Sequence, residues 1–336
     1  MFKPWYLIPP KLAHDMAPLA LQLYSSAISE QNCAWRSFSW RPRGGPNLFF
    51  RNRMGIAGGV DKNGELIPVW KKLGAGFIEI GTVTPLPQGP NPGTIIDRDT
   101  ENLNLWNKMG FPNKGMEELF DCVDCQLRKI EDCPPLFINL GKNRNTSLED
   151  AHLDYAKLAA RLYPLADAFV INISSPNTQG LRSLQTASAL EPLIASVRES
   201  VPHDHQKPVL VKLSPDMEAS QLESTIAALM ENSVDGIILT NTTLSRPANS
   251  PFSTEGGVSG AFLKDISKKQ LTKAVQFLGN HKSKVLLVSV GGLLTPQDIA
   301  ERLELGADLV QIYSALVFKG PAFFREVCNY MNEERE

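Results

Sequence analysis

Short apolar segments recur along the chain between residues 54 and 313, and stretches with helical periodicity separate most of them. Apolar residues run continuously within each segment, as is typical of strands buried on both faces of a parallel sheet. The predicted strands are 54–60, 77–84, 136–140, 169–173, 208–213, 236–240, 285–290 and 309–313. The pattern therefore restricts the chain to an α/β fold with a largely parallel sheet.

The segments between the strands predict helices. They include 66–73, 149–163, 187–200, 218–231, 268–278 and 296–305. Eight strand–helix repeats in one chain favour a closed (β/α)8 TIM barrel. A doubly wound open sheet is the alternative, although no Gly-x-Gly-x-x-Gly follows the first strand.

Two regions do not fit the repeat. Residues 85–135 are too long for one β/α unit and carry several prolines, so we predict loops or a small antiparallel excursion there. Residues 1–45 form a separate N-terminal helical extension, and the barrel occupies 46–336.

The N-terminal extension carries an apolar stripe at helical spacing. Its members are Leu12, Met16, Leu19, Ala20, Leu23 and Ala27. Such a stripe either packs on the barrel or forms an element for a membrane surface or a hydrophobic ligand. No apolar run reaches the roughly 18 residues of a membrane span, so we expect the chain to be soluble or to rest on a membrane without crossing it.

Composition excludes several classes of protein. Lys and Arg number 34 against 36 Asp and Glu, which leaves no basic surface for nucleic acid. Five Cys residues make a disulfide framework unexpected and favour a reducing, cytoplasmic compartment. Cys122 and Cys125 are spaced as C-x-x-C, but no second pair completes a zinc site, so we predict no metal.

Polar side chains gather where the predicted strands end, which is where TIM barrels carry their chemistry. They are mostly amides and hydroxyls, with lysines at 62 and 212, while His, Asp and Glu are nearly absent. A glycosidase carboxylate pair and a catalytic metal are therefore not expected. Gly291, Gly292 and Ser314 follow the last two strands, as in the recurring phosphate site of these barrels. These residues predict a phosphate-bearing ligand beside a planar polar one.

Each of these features also has an ordinary structural explanation. Ser174 to Asn177 could be a turn and helix cap, Lys62 a solvated loop lysine, and Gly291-Gly292 a tight turn. Their joint occurrence at one end of a barrel favours the functional interpretation.

Several sequence strings carry a family resemblance. They are 57–65, 79–85, 107–111, 172–178, 240–243, 256–260 and 310–314. Over nearly its whole length the chain resembles the class 2 dihydroorotate dehydrogenases, which are quinone-linked and membrane-associated. The resemblance implies oxidation of (S)-dihydroorotate to orotate in de novo pyrimidine (UMP) biosynthesis, with one FMN per chain and quinone as the electron acceptor.

The resemblance also implies site residues. FMN contacts would be made by Gly58, Gly59, Val60, Asp61, Lys62, Thr82, Asn139, Asn172, Lys212, Thr240, Gly260, Gly291, Gly292, Tyr313 and Ser314. Substrate contacts would be made by Lys62, Asn107, Lys108, Met109, Gly110, Phe111, Asn172, Asn177, Asn241 and Thr242.

The resemblance makes Ser175 the base that removes the C5 proton while C6 gives hydride to the flavin N5. Serine is a weak base and needs help or a proton path, for which Thr178 and Phe111 occupy the family positions. Soluble classes use Cys instead, so Ser175 argues against them. Lys212 would stabilise an anionic reduced flavin.

In this class a helical extension forms a quinone tunnel and touches the membrane. The resemblance assigns His14 and Arg98 to the quinone, although Lys11 and Asp97 depart from the family pattern. We therefore expect a monomer bound peripherally to the cytoplasmic side of the cell membrane through its N-terminal helix. The rival functions are an aldolase with a Schiff base at Lys212 and a non-catalytic flavin or nucleotide-binding barrel.

Overall fold

The computed structural model describes residues 3–43 and 45–333. Met1, Phe2, Gly44 and residues 334–336 lie outside the described part, and so do the outer limits of the two predicted domains.

The strands follow the chain in a regular succession. They are β1 (Phe38–Trp40), β2 (Leu48–Phe50), β3 (Met54–Asp61), β4 (Phe77–Val83), β5 (Ile96–Asp99), β6 (Asn104–Asn107), β7 (Leu136–Leu140), β8 (Ala168–Asn172), β9 (Val209–Leu213), β10 (Gly236–Leu239), β11 (Gly257–Gly260), β12 (Leu286–Val290) and β13 (Leu309–Ile312). Parallel strands close a barrel in the order β3-β4-β7-β8-β9-β10-β12-β13 and back to β3. The predicted barrel is confirmed, and the open sheet is excluded because β13 pairs with β3.

Helices surround the barrel. They are α1 (Pro10–Ser26), α2 (Ile67–Leu73), α3 (Met116–Leu127), α4 (Ala151–Leu162), α5 (Ala187–Glu199), α6 (Ala219–Glu231), α7 (Leu263–Leu278), α8 (Pro296–Glu304), α9 (Ser314–Phe318) and α10 (Phe323–Glu333). Local sequence sets several of these ends. Thr295 and Asp298 form a capping box that begins α8, and Gly74 ends α2 with a φ of +91°.

Aromatic side chains fill the amino-terminal half of the barrel interior. Phe77 and Phe137 project inward, and Phe50 from the β1–β2 hairpin packs against both, with ring centroids 5.9 and 6.2 Å away. These rings are fully buried. Because this end is closed by packing, the open space of the barrel lies at the carboxyl ends of its strands.

The insertion after β4 forms a small antiparallel sheet in the order β11-β6-β5, together with α3. The predicted excursion within residues 85–135 is thus confirmed. Its third strand, β11, comes from the connection between β10 and α7, and Gly257 pairs with Asn107. The sheet brings β6 to the carboxyl end of the barrel.

Helix α1 presents the predicted apolar stripe to the outside. Leu12, Met16, Leu19 and Leu23 are 47 to 63% exposed. The opposite face, which includes Ala17 and Leu21, is turned toward α2 and β5. The interpretation that the stripe packs on the barrel is therefore wrong. Among the described residues, no helix has the length and apolar character that a membrane crossing requires.

A disulfide joins Cys33, in the segment after α1, to Cys328 on α10, with 5.7 Å between the Cα atoms. The low cysteine count did not predict this bond. It ties the N-terminal extension to the last helix of the barrel.

Candidate active site

A cavity of about 960 Å³, including its open mouth, lies at the carboxyl end of the barrel. Most residues predicted for the site line it: Gly58, Gly59, Lys62, Thr82, Asn107, Met109, Gly110, Phe111, Asn172, Ser175, Asn177, Lys212, Thr240, Asn241, Thr242, Gly291, Gly292, Tyr313 and Ser314. The closed barrel brings these residues together because parallel strands end at the same face.

A network of amides and hydroxyls fixes the ends of β4 and β8 to the loop after β10. Asn172 donates from Nδ2 to Thr82 Oγ1 at 2.9 Å, and Ser174 Oγ donates to Asn172 Oδ1 at 3.1 Å. Asn241 Nδ2 donates to Ser174 Oγ at 3.0 Å. Tyr155 on α4 holds the Asn172 carbonyl from behind at 2.9 Å. The wall of the cavity is therefore pre-organised by buried polar contacts.

Ser175 lies on the loop after β8 and is only 5% exposed. Its Oγ accepts a hydrogen bond from the Asn177 backbone N–H at 3.2 Å. Asn177 Nδ2 in turn donates to Asn107 Oδ1 of β6 at 2.9 Å, which brings the small sheet into the site. Asn177 Oδ1 and Thr242 Oγ1 are buried and find no hydrogen-bond partner in the described chain. These atoms remain available to a ligand.

Arg182 links the two loops that carry Ser175 and Thr242. Its Nε donates to the Ser174 carbonyl at 3.0 Å and its Nη2 to the Thr242 carbonyl at 2.9 Å. Asp216 receives the remaining arm of the guanidinium at 2.7 Å. Sequence analysis missed this arginine because it follows the strand end by ten positions on a short 3-10 helix (Leu181–Gln185).

The floor of the cavity holds a buried ion pair. Glu79 of β4 is fully buried, and Lys212 Nζ of β9 lies 3.5 Å from Glu79 Oε1. Asn139 of β7 donates to the same carboxylate oxygen at 2.6 Å, and Gln311 of β13 donates to Oε2. Lys212 is therefore paired with a buried carboxylate. Its position at a strand end does not reveal that pairing.

Lys62 lies where the barrel meets α1. Its Nζ is 3.1 Å from His14 Nε2. Burial lowers the pKa of Lys62 to about 8, although the Asp61, Asp15 and Glu65 carboxylates partly oppose that shift. Burial and the nearby Lys62 lower the pKa of His14 to about 4. At neutral pH the imidazole is therefore uncharged and accepts a hydrogen bond from the ammonium.

Two glycines after β12 form part of the cavity wall. Gly291 and Gly292 have φ values of +118° and +74°, and a Cβ on Gly292 would overlap the backbone of Lys264. Ser259 Oγ and Ser314 Oγ lie 3.1 Å apart beside them. Backbone that lines the cavity and two hydroxyls make this wall suitable for a phosphate group.

Comparisons with known proteins identify the family. The family model described as dihydroorotate dehydrogenase matches residues 45–334. The chain belongs to the dihydroorotate dehydrogenase family. It is 37% identical to the dihydroorotate dehydrogenase (quinone) of Delftia acidovorans over 335 residues, or 97% of this chain and 95% of that protein. It is 42% identical to the Thermus thermophilus dihydroorotate dehydrogenase (quinone) over 280 residues, or 83% and 78% of the two chains.

A solved structure of a dihydroorotate dehydrogenase shares the architecture. The Eimeria tenella enzyme in complex with ferulenol superposes with a TM-score of 0.87 at 28% identity, covering 99% of this chain and 96% of that one. The predicted resemblance to the quinone-linked class and the TIM barrel are thus confirmed.

Several residues assigned by the family resemblance lie outside the cavity wall. They are His14, Val60, Asp61, Arg98, Lys108, Asn139 and Gly260. Asp61 accepts hydrogen bonds from the Glu65 and Leu66 backbone and from Trp70 Nε1, so its carboxylate supports the turn into α2. The carboxylate therefore gives no geometric support to the predicted FMN contact.

Lys108 and Arg98 are also engaged elsewhere. Lys108 forms an ion pair with Glu255 at the protein surface. Arg98 Nη2 donates to the carbonyls of Trp5 and Ile8 at 2.7 and 2.6 Å, so it holds the N-terminal segment against β5. The substrate and quinone contacts predicted for these two residues remain predictions.

Sequence analysis also missed part of the wall. The missed lining residues are Ala57, Pro112, Ser259, Leu263, Val290, Leu293 and Gln311. Most are apolar or lie beyond the strand ends, so polarity at a strand end could not reveal them.

Proposed function

We propose that this chain oxidises (S)-dihydroorotate to orotate in pyrimidine biosynthesis, with one FMN bound in the barrel cavity and quinone as the electron acceptor. The observation that carries the proposal is the position of Ser175. This candidate base lines the same cavity as Lys62 and several asparagine side chains, in a chain of the dihydroorotate dehydrogenase family.

The residues present fit FMN. The cavity is lined by backbone and by amide, hydroxyl and ammonium groups from several strand ends, which a planar polar cofactor with a phosphate could contact. Three solvent-inaccessible polar atoms in its wall, on Asn177, Thr242 and Gln311, lack a partner among the described residues and would be satisfied by a polar ligand. Gly291 and Gly292 line the cavity with backbone, and without side chains they pack closely against Lys264 and Ser267 of α7. FMN, when bound, would supply the acceptor for the hydride equivalent that leaves C6 of dihydroorotate.

The polar groups of the wall match orotate. A carboxylate on the substrate would pair with the ammonium of Lys62, which stands at the junction with α1. The cyclic diimide edge offers N–H donors and carbonyl acceptors. Asparagine amides both donate and accept, so Asn107, Asn177 and Asn241 suit that edge.

Ser175 would take the proton from C5. The Asn177 backbone N–H donates to Ser175 Oγ and uses one of its two lone pairs, which leaves the other for the proton from C5. The hydroxyl proton of Ser175 would leave along the path that the resemblance assigns to Thr178 and Phe111, and the same N–H would stabilise the negative charge that develops on the oxygen as it takes up the C5 proton. Arg182 fixes the carbonyl before Ser175 and thereby the position of the loop.

The N-terminal extension would serve the quinone. The apolar stripe of α1 is exposed, while His14 contacts Lys62 and connects α1 with the cavity. We infer that α1 lies on the cytoplasmic surface of the cell membrane and guides quinone toward His14 and Arg98. Support comes from the quinone-linked names of the relatives and from the exposed stripe.

An absorbance spectrum tests the proposal. Purified protein should show a flavin band at about 450 nm, which anaerobic dihydroorotate should bleach and quinone should restore. A colourless protein that instead forms a borohydride-trapped adduct at Lys212 would favour the aldolase. A flavin band that dihydroorotate does not bleach would favour the non-catalytic flavin-binding barrel.

A further inference from the structure

Glu79 stands out among the buried groups of the molecule. It lies in the middle of β4, is completely buried, and receives hydrogen bonds from three different strands. A buried carboxylate is unfavourable unless it is paired and hydrogen-bonded, and Lys212, Asn139 and Gln311 provide that pairing. A carboxylate held this way beneath a ligand cavity affects the electrostatics of whatever binds above it.

The carboxylate also decides the orientation of two amides. An ionised carboxylate only accepts hydrogen bonds, so Asn139 and Gln311 must direct their NH2 groups toward Glu79. The amide oxygens of Asn139 and Gln311 then point away from Glu79. Asn139 Oδ1 and Gln311 Oε1 are buried and without a partner in the described chain. Gln311 lines the cavity, so its Oε1 is an acceptor for a donor of a ligand, while Asn139 lies behind the cavity wall.

A neighbouring glycine shows that the arrangement is built into the strand. A Cβ on Gly58 of β3 would overlap Glu79 Oε1 and lie 2.8 Å from Asn139 Nδ2. A larger residue at position 58 would displace the carboxylate from the floor. Gly58 thus makes space for Glu79 as well as for the cavity above it.

We propose that Glu79 is a positioning residue for FMN. Glu79 sets the net charge of the cavity floor and determines which atoms there accept hydrogen bonds. This inference rests on the proposed function, since it presupposes that FMN binds here. Glu79 balances the charge of Lys212, orients the Asn139 amide behind the cavity wall, and holds Gln311 so that its Oε1 can accept from a donor of the cofactor. Its negative charge makes the site less favourable to an electron-rich reduced flavin than Lys212 alone would.

The charge argument predicts opposite shifts of the flavin midpoint potential. Glu79→Gln leaves Lys212 without its counter-charge, so the potential should become more positive. Lys212→Met leaves the carboxylate without its cation, so the potential should become more negative. The double variant removes both charges, and its potential should lie above that of Lys212→Met. A role confined to packing would not produce this pattern.

The experiment has two parts. Spectroelectrochemistry of the flavin-loaded proteins gives the midpoint potential. Titration of the apoproteins with FMN, monitored through the quenching of flavin fluorescence, gives the dissociation constant. Glu79→Gln should raise the dissociation constant of FMN at least tenfold, because a glutamine cannot accept from all three donors. Asp235→Asn is the matched control. Asp235 is a buried carboxylate at the opposite end of the barrel, bonded to the Val209 N–H at 3.0 Å, and its loss should lower Tm without moving the potential.

The results distinguish a failure of the proposed function from a failure of the role of Glu79. If the wild-type protein binds no FMN, the proposed function fails. If it binds FMN and Glu79→Gln has the same potential and affinity, only the role of Glu79 is overturned. Should Glu79→Gln not fold, Gln311→Met tests the same floor by removing one oriented amide. We expect a several-fold weaker FMN complex for that variant, and an unchanged dissociation constant would overturn the proposal.

Discussion

His14 Nε2 on α1 and Lys62 Nζ at the end of β3 lie 3.1 Å apart. The N-terminal helix therefore contacts the cavity through one hydrogen bond between two titratable groups. Because burial lowers both pKa values, Lys62 is charged and His14 neutral at pH 7. The ammonium that would meet the substrate carboxylate is thus also a contact of the proposed quinone-binding extension.

We expect kcat/KM for dihydroorotate to fall as the pH rises through about 8. Lys62 has a pKa of about 8, and it loses its positive charge above that pH. A neutral lysine cannot pair with the substrate carboxylate, and kcat/KM reports the pKa values of the free enzyme. Stopped-flow flavin reduction between pH 6 and 10 measures this step apart from quinone.

Two variants check that Lys62 is the titrating group. Asp15 raises the pKa of Lys62 by its negative charge, so Asp15→Asn should move the midpoint to lower pH. Lys62→Arg should abolish the decline, since arginine stays protonated throughout the range. A midpoint that stays in place in both variants would assign the titration to another group.

Ser175→Ala should keep FMN and slow flavin reduction by dihydroorotate about 100-fold or more, the usual scale for loss of a general base. Ser175→Cys should retain part of the rate, because a cysteine thiolate can also take the proton. Reoxidation by quinone should be unchanged in both variants. Near-normal reduction in Ser175→Ala, measured by stopped flow, would refute the role.

The barrel and most of its mouth could be predicted from sequence because one physical rule governs both. Strands buried on both faces are continuous apolar runs, and their carboxyl ends meet at one face. Asn172, Lys212 and Thr240 could therefore be placed in one site without knowing any contact between them.

Glu79 escaped prediction because it lies inside a strand and not at its end. Its contact Lys212 is 133 positions away, so no local pattern connects them. A signal was nevertheless present, since Phe77 and Glu79 share one face of β4 and Phe77 fills the barrel interior. The Cys33–Cys328 bond had no comparable signal, because 295 residues separate the two cysteines.

The apolar stripe on α1 shows a different limit of prediction from sequence. Periodicity identified one apolar face, but it could not tell which face the barrel takes. The barrel takes the face from which Leu21 and Tyr24 pack against the core, and the predicted stripe remains outside.

Arg182→Met should loosen the two loops that it connects. We expect KM for dihydroorotate to rise about tenfold and flavin reduction to slow, while FMN content stays the same, since small displacements of positioned groups affect catalysis strongly. Arg161 is the matched control, because its ion pair with Glu117 lies on the surface, and Arg161→Met should behave as wild type. Equal kinetics in Arg182→Met and Arg161→Met would contradict the role of Arg182.

The last prediction concerns the exposed stripe. Replacing Leu12, Met16, Leu19 and Leu23 together by Ser should abolish binding to vesicles with anionic lipid and lower turnover with a long-chain quinone at least tenfold. Full burial of one such side chain contributes about 1.5 to 3 kcal/mol, and these four are roughly half exposed. The stripe can therefore supply only modest, reversible anchoring. Flavin reduction by dihydroorotate should be unaffected, because His14 and Lys62 keep their contact.

The control for that variant removes apolar surface elsewhere. Leu153 on α4 and Phe277 on α7 are 56 and 43% exposed, whereas α1 packs on α2 and β5, so replacement of these two residues by Ser should leave vesicle binding intact. Turnover of the stripe variant with a short, water-soluble quinone should also remain within about twofold of wild type, because such an acceptor reaches His14 without a membrane. If the stripe variant still sediments with vesicles, or if it loses both quinones equally, α1 does not dock on lipid and its exposed face serves another purpose.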